Sequence, residues 1–513
     1  MLKKKIYAWH RRLSLIIALP VVLSAGSGIL HPVMTNIRPA VATQTLSPQP
    51  IDSSQIRCSL QAALDSSHID TISQVRIVRI DTNWFYQVQS GATNVPVYLS
   101  ARTGKVLPKG DYLYAQYIAR QFLEGQPHRA ERQERGGAGM AEPDCCNAAT
   151  LAVVNARGSK VLDETRLEAF DEEYAEVNRL LPVYKVAFDR PDGMRIYVET
   201  VQDRFALAVD NRRASFNRVF QFIHTYQWLD FLGKGRPVAE FLLTGLAFVT
   251  TLLGICIFFT TRSKKVPGNE YVGARRNHRY TAIVISLFTG MFSFSGAYHA
   301  LTKLKDDRRL EYYADNRIAS NSIRFAFDSL SRAARRPITG VSLVEIGGTM
   351  YWQLSAKASE RVYLSTADYS VLADGERKYA RHLATLFSGQ RESSITSVTQ
   401  TTKFDRYYNF SQKRLPVWCV AYPVNNHERY YVETSSGRLS TRVDDMDLLE
   451  SYSFALFHKH EFLAALGKPV KDASTMFWAA AQLFLVSLGL ILFFKAGKRK
   501  KSSTAPAIPC DAR

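Results

Sequence analysis

The sequence predicts an α+β membrane protein: four transmembrane helices arranged as a two-fold internal repeat (2 + 2), with α+β domains on one side of the bilayer. Three observations carry this. Two apolar segments of 22 residues, "HRRLSLIIALPVVLSAGSGILH" (His10 to His31) and "HRYTAIVISLFTGMFSFSGAYH" (His278 to His299), each begin and end with histidine and share a Ser-Gly pair, Ser27-Gly28 and Ser295-Gly296. Motifs further along recur at constant offsets. Basic residues cluster beside particular ends of the apolar segments. A chain of 513 residues with 46% hydrophobic content and a slightly negative mean hydropathy is too polar to lie wholly in a membrane, so soluble domains must be interleaved with spans.

In chain order, residues 1–35 hold a basic tail and the first span, about 13–33. From His10 to His31, 21 steps of ~1.5 Å cover ~31 Å, the thickness of a hydrocarbon core. The same steps of ~100° return the second ring to within ~60° of the first. Residues 36–222 form a first outer α+β region. Residues 223–262 are an interfacial helix and the second span, about 238–260; residues 263–303 are a cytoplasmic loop and the third, about 280–301. Residues 304–456 repeat the outer α+β region, and 457–513 hold an interfacial helix, the fourth span (about 475–494) and a cytoplasmic tail.

The offsets define the repeat. The first and third spans align at 268; "VYLSARTGKVLPKG" (Val97 to Gly110) matches "VYLSTADYSVLADG" (Val362 to Gly375) at 265; "LPVYKVAF" from Leu181 matches "LPVWCVAY" from Leu415 at 234. "YVET" at Tyr197 and at Tyr431 keeps the 234 offset. The drop of 31 places a polar, glycine-bearing insertion near 126–156, read as a loop. Within each outer region a helical stretch ("QIRCSLQAALDS", "IRFAFDSLSRAARR") precedes alternating strands ("QVRIVRI" with "WFYQVQS", "GVSLVEI" with "MYWQLSA"). A helix follows ("LYAQYIARQFLEG", "RKYARHLATLFSG"), then a second hairpin, turning in the first half at Pro191-Asp192-Gly193. Small antiparallel sheets are expected in each region.

The formal charge of +20 reads as topology. Lys3, Lys4, Lys5, Arg11 and Arg12, then Arg262, Lys264, Lys265, Arg275, Arg276 and Arg279, then Lys495, Lys498, Arg499, Lys500 and Lys501 flank the spans. The positive-inside rule puts these clusters and both termini in the cytoplasm and the two long segments outside. Nucleic-acid binding is excluded because the basic residues hug the spans without a reader motif. The N-terminus has the make-up of a secretory signal ending at Ala40-Val41-Ala42, but its internal copy cannot be one, so the first span is expected to stay. Cys58, Cys145, Cys146, Cys256, Cys419 and Cys510 show no zinc-finger or thioredoxin spacing. The adjacent Cys145 and Cys146 read as an incidental or disulfide-linked pair ahead of a metal site.

Offset 234 pairs His224 with His458, which makes three matched histidine pairs with His10/His278 and His31/His299. His460, His68, His128, His382 and His427 have no histidine counterpart and read as surface or core residues. Histidine in or near hydrocarbon is costly and marks function, against the alternative of simple interfacial anchoring. Imidazole is the axial ligand of a b-type haem, and a haem between helices takes one ring from each side. His10 and His278 suit one haem near the cytoplasmic face; His31, His224, His299 and His458 suit one or two near the outer face. CxxCH does not occur, so covalent attachment is excluded. Gly26, Gly28 and Gly296 serve either close porphyrin approach or helix packing. Zinc is the competing occupant, disfavoured because carboxylates with ligand spacing are lacking around His10, His31, His278 and His299.

"WHRRLSLIIALP", "VYLSARTGKVL", "FIHTYQWLDFLGKGRPVAEFLLTG" and the 2 + 2 layout resemble the PepSY-associated transmembrane family over nearly the whole chain, the insertion and C-terminal tail excepted. Arg12 and Ser14 stand where the common "HRWLGL" start has Trp and Gly. Members described as siderophore reductases of the bacterial inner membrane bind two b haems and reduce ferric chelates in the periplasm. The resemblance implies that function here, with His10, His31, His224, His278, His299 and His458 as haem-iron ligands, a ferric siderophore or ferric chelate as substrate, and an unidentified electron donor. The alternative is a non-enzymatic PepSY membrane protein that binds or restrains a periplasmic protease or senses envelope state. A metal transporter is disfavoured by the lack of broken spans and intramembrane carboxylates. For a chelate surface the sequence offers Tyr112, Tyr114, Tyr117, Arg120, Tyr379, Arg381, Tyr407 and Tyr408, against the reading that they fill small cores or form an aromatic belt.

Overall fold

The computed structural model describes residues 2–90, 95–125, 160–175, 180–262, 266–304, 318–357, 360–409 and 413–503. The expected insertion near 126–156, with His128, Cys145 and Cys146, lies outside these residues, as do Lys264, Lys265 and Cys510.

The first half runs α1 (Leu2–Asn36), α2 (Leu60–Ser66), β1 (Thr71–Ile80), β2 (Asn83–Ser90), β3 (Val97–Ser100), α3 (Gly110–Glu124), β4 (Val161–Leu167), β5 (Val183–Phe188), β6 (Arg195–Glu199), β7 (Arg204–Val209), α4 (Asn211–His224) and α5 (Arg236–Thr260). The second runs α6 (Glu270–Thr302), β8 (Ile318–Ala319), α7 (Phe327–Ala334), β9 (Gly340–Ile346), β10 (Thr349–Lys357), β11 (Glu360–Ser365), α8 (Gly375–Ser388), β12 (Ser397–Thr401), β13 (Val417–Ala421), β14 (Arg429–Glu433), β15 (Arg438–Val443), α9 (Asp445–Ser453) and α10 (Lys468–Ser503). About half of the described chain is helix and a fifth strand.

Four helices, α1, α5, α6 and α10, are long and apolar enough to cross a membrane, which makes this a multi-pass membrane protein. Each extends past the expected span. Pro237 and Pro469 occupy first turns, where a missing N–H costs nothing. Asn269 caps α6 by accepting from the Val272 amide. The ends of α1 and α6 and the starts of α5 and α10 meet the α+β region, called here the domain end; the opposite, terminal end carries the start of α1, the end of α5, the start of α6 and the end of α10.

Two four-stranded antiparallel sheets, β4-β5-β6-β7 and β12-β13-β14-β15, have the same order and register. Tyr184 faces Val198 as Trp418 faces Val432, and both sheets carry a bulge, between Tyr197 and Val198 and between Tyr431 and Val432. The remaining hairpins depart from the expected small sheets. They merge into one seven-stranded sheet, β11-β10-β9-β1-β2-β3 with β8 beside β1, joined across the halves where Arg76 of β1 pairs with Ser342 of β9. Helices α2 and α7 cover it, so Leu60, Leu64, Phe327 and Leu330 share one core with strands of both halves.

The "VYLS…G" motif acquires a structural reason. Gly110 and Gly375 open α3 and α8 directly over Tyr98 and Tyr363, where a Cβ would stand 2.7 and 2.6 Å from the nearest tyrosine side-chain atoms. Gln87 and Gln353 bridge those tyrosine oxygens to the carbonyls of Thr200 and Thr434. Tyr114, Tyr379 and Tyr408 are buried in cores, which corrects their reading as chelate-facing groups; Tyr112 is exposed, and Arg381 pairs with Glu392.

Candidate cofactor-binding site

At the terminal end, α1, α5, α6 and α10 enclose a cavity of about 580 Å³, a normal size for a cofactor pocket. His10 of α1 and His278 of α6 both line it, together with apolar groups such as Ile17, Val21, Ile255, Ile283, Leu485 and Val486. Arg11, Arg275 and Arg279 also line it. Arg279 caps the carbonyls of Phe258 and Thr261 at the end of α5, which holds one guanidinium at the terminal end of the cavity.

Backbone decides how near the rings stand. A Cβ on Gly254 of α5 would lie 3.2 Å from His10 Cε1, and one on Gly489 of α10 would lie 3.6 Å from His278 Cε1. Each imidazole thus leans on a glycine of the helix beside it. Neither glycine drew notice in the sequence, because a lone Gly in an apolar helix has no signature. The glycines that did, Gly28 and Gly296, face Ala479 and Thr244 of neighbouring helices, as helix packing requires; Gly26 has nothing within 4 Å of a Cβ.

The hydrogen bonds give the ring chemistry. His10 Nδ1 lies 3.1 Å from the Thr250 carbonyl. A carbonyl only accepts, so the proton is on Nδ1 and the Nε2 lone pair is left for a ligand role. His278 Nδ1 is buried with no hydrogen-bond partner among the described residues.

At the domain end the matched serines act on the matched histidines. Ser27 Oγ is 2.9 Å from His224 Nδ1, and Ser295 Oγ is 3.2 Å from His458 Nδ1. Each hydroxyl also donates to a carbonyl of its own helix, at Leu23 or Ser24 and at Phe292, and therefore accepts from the imidazole. This tautomer keeps the lone pair on Nε2. Rings His224 and His458 are 6.1 Å apart between centroids. Phe220 lies against both His31 and His224, and Phe454 against both His299 and His458, so the four domain-end histidines gather around two phenyl rings. Burial pushes the His224 imidazole down to about 4 and the His458 imidazole well below its usual value, which favours the neutral rings.

His460, read from the sequence as a bystander, is fully buried beside this group. Its ring packs on Phe288, Phe292 and Phe462, Nδ1 meets Ser474 Oγ at 3.0 Å, and Nε2 is buried without a partner among the described residues. The duplication argument passed it over because Tyr226 stands at its counterpart and bonds Ser24 instead. The other unmatched histidines behave as read where described: His427 is exposed and paired with Asp445, and His382 accepts from the Gly347 amide.

The donor set fits a haem in three respects. Neutral imidazoles present free Nε2 atoms, glycines clear space beside two of them, and an apolar slot with arginines lies between helices. Among the described residues no group of three or more His, Cys, Asp or Glu is placed to hold a bare metal ion. No protein-family model matches this chain, and no curated protein sequence does.

Proposed function

We propose that this chain is a transmembrane haem b oxidoreductase that passes electrons across a bacterial inner membrane to a periplasmic ferric siderophore or other ferric chelate. One observation carries the reading: the intramembrane cavity with His10 and His278 on its wall, each ring backed by a glycine. Matched strand registers, tyrosine-glycine contacts and serine-histidine bonds support an internal duplication whose halves share one orientation, related by a pseudo-two-fold axis along the membrane normal. The basic clusters at the terminal end support cytoplasmic termini and periplasmic domains.

His10 and His278 would hold one haem, and imidazoles of the domain-end group a second. When bound, haem supplies one-electron redox chemistry, one electron for each ferric ion reduced to ferrous. The chain does the rest. Thr250, Ser27 and Ser295 hold protons on Nδ1 atoms, which would leave the opposite nitrogens to hold the haem. Apolar walls keep water out, and Arg11, Arg275 and Arg279 provide charge for carboxylates of a bound group. An electron donor from the cytoplasm or the membrane would approach the terminal end.

The test is a reduced-minus-oxidised spectrum of purified full-length protein with haem quantification, followed by addition of ferric chelates to the anaerobically reduced sample. Expected are b-type bands, two haems per chain, and reoxidation faster than in buffer. A colourless protein without a Soret band removes the reading. Haems that no ferric chelate reoxidises remove the substrate and point to a protein or quinone acceptor.

A further inference from the structure

The two halves present matched histidines in unmatched surroundings. His31 and His299 end the two apolar segments at the same spacing, and each leans on a phenyl ring, Phe220 or Phe454. Behind His299 stands a carboxylate: its Nδ1 is 2.8 Å from Glu450 Oε1. Glu450 lies on α9, one turn before Phe454. The 234 offset places Phe216 at the corresponding position of α4, which has no polar group to offer His31. Asp472 reaches His31 only as a charge at a distance, and its carboxylate is engaged by Lys468 at 3.1 Å.

We infer that Glu450 is a positioning residue that makes the His299 side of the domain-end site the more electron-rich one; this rests on the haem reading above. A carboxylate at this position only accepts, so it holds the His299 proton on Nδ1 and directs the Nε2 lone pair the other way. By drawing on that proton it gives the ring partial imidazolate character and raises its strength as a ligand, as carboxylate partners do for metal-bound histidines. A stronger donor favours ferric over ferrous iron and lowers the midpoint potential of the haem it holds. Serine partners, as at His224 and His458, do this far less because a hydroxyl is a weaker acceptor. The consequence is directional. The site nearest the soluble domains is tuned toward a low potential, which makes it the better reductant on the side where the electron leaves.

The experiment is potentiometric titration of full-length wild type, Glu450→Gln and Glu450→Asp, with haem content measured in each. In Glu450→Gln one of the two midpoint potentials is expected to move up while the other holds, with both haems bound; Glu450→Asp, which keeps the carboxylate, moves back toward wild type. The unmoved haem reports that the fold is intact. Two bound haems with unchanged potentials overturn the inference and leave the haem reading standing. Equal shifts of both potentials, or loss of both haems, overturn it as well, because Glu450 would then act through the fold. A wild-type protein that binds no haem removes the proposed function itself, before any variant is made.

Discussion

At the residue scale, a site of this kind is made by side chains and by their absence. His10 needs a proton acceptor behind it and room beside it; the Thr250 carbonyl supplies the first and Gly254 the second. Both come from α5, one turn apart. A valine at 254 would drive methyl groups into the imidazole, an overpacking that costs about 1–3 kcal/mol where the neighbour cannot move. The histidine is expected to move instead. If the chain holds the proposed haem, Gly254→Val, His10→Ala and His278→Ala should each lose the same one, because the two rings face one cavity. Haem content and the reduced spectrum of the three variants check this. Loss of spectrally different haems from His10→Ala and His278→Ala would sink the pairing.

At the element scale, strand β4 carries a proton-dependent contact. Glu164 sits where the strand crosses α3, and Gln116 donates to its Oε2 at 2.8 Å while Oε1 is buried without a partner among the described residues. Burial pushes this carboxyl up to about 7; the Gln116 bond offsets part of that, and the charges of Asp111 and Asp163 add to it. The sign follows. Between about pH 4.5 and 7 the folded chain keeps a proton that the unfolded chain has released, so Glu164 makes stability fall as pH rises through that window. Thermal unfolding at pH 5 and pH 7.5 is expected to show this decline in wild type and a smaller one in Glu164→Gln. An identical pH dependence in both proteins would remove the role assigned to Glu164.

At the scale of the whole molecule, the halves are locked by charge as well as by the shared sheet. Arg204 of β7 pairs with Glu433 of β14, both buried. Burial alone would raise the Glu433 carboxyl, but Arg204, Arg438 and Arg414 outweigh it and hold the group below its ordinary value. Glu199, at the matched position, is raised by its burial. Removing one partner of such a pair strands a charge at a cost of about 3–5 kcal/mol, whereas replacing both with apolar groups is often neutral. Glu433→Ala is expected to destabilise by about that much, and Arg204→Met with Glu433→Leu to recover only part of it, because Arg438 and Arg414 also lose the carboxylate. Denaturant unfolding measures both, and a loss below about 1 kcal/mol for Glu433→Ala would show the pair to be dispensable. Sidedness belongs to this scale too. With the natural cysteines replaced, an impermeant thiol reagent on intact cells should label Gly137→Cys and spare Lys265→Cys; labelling of Lys265→Cys alone would invert the topology.

Much of this was legible in the chain because its cause is local. Apolar runs of membrane length make helices in any context, alternation makes strands, and matched offsets pointed to equivalent elements before any contact was known. His10, His31, His278 and His299 stood out because imidazole is costly at an apolar run, and His224 and His458 because the 234 offset pairs them. What sequence could not reach depends on partners distant along the chain. That Ser27 and Ser295 serve His224 and His458 needed helices brought together across 197 and 163 residues. Gly254 and Gly489 matter only because a ring from another helix lies on them. His460 is buried through aromatic neighbours on α6, and of the tyrosines offered for a chelate surface Tyr114, Tyr379 and Tyr408 fill cores while Tyr112 stays exposed. The shared seven-stranded sheet was invisible for the same reason: hairpin signals are short-range, whereas the choice of which hairpin edges meet is made by α2 and α7 burying their apolar faces on strands from both halves. Periodicity along one segment determines which residues want burial; only packing decides against whom.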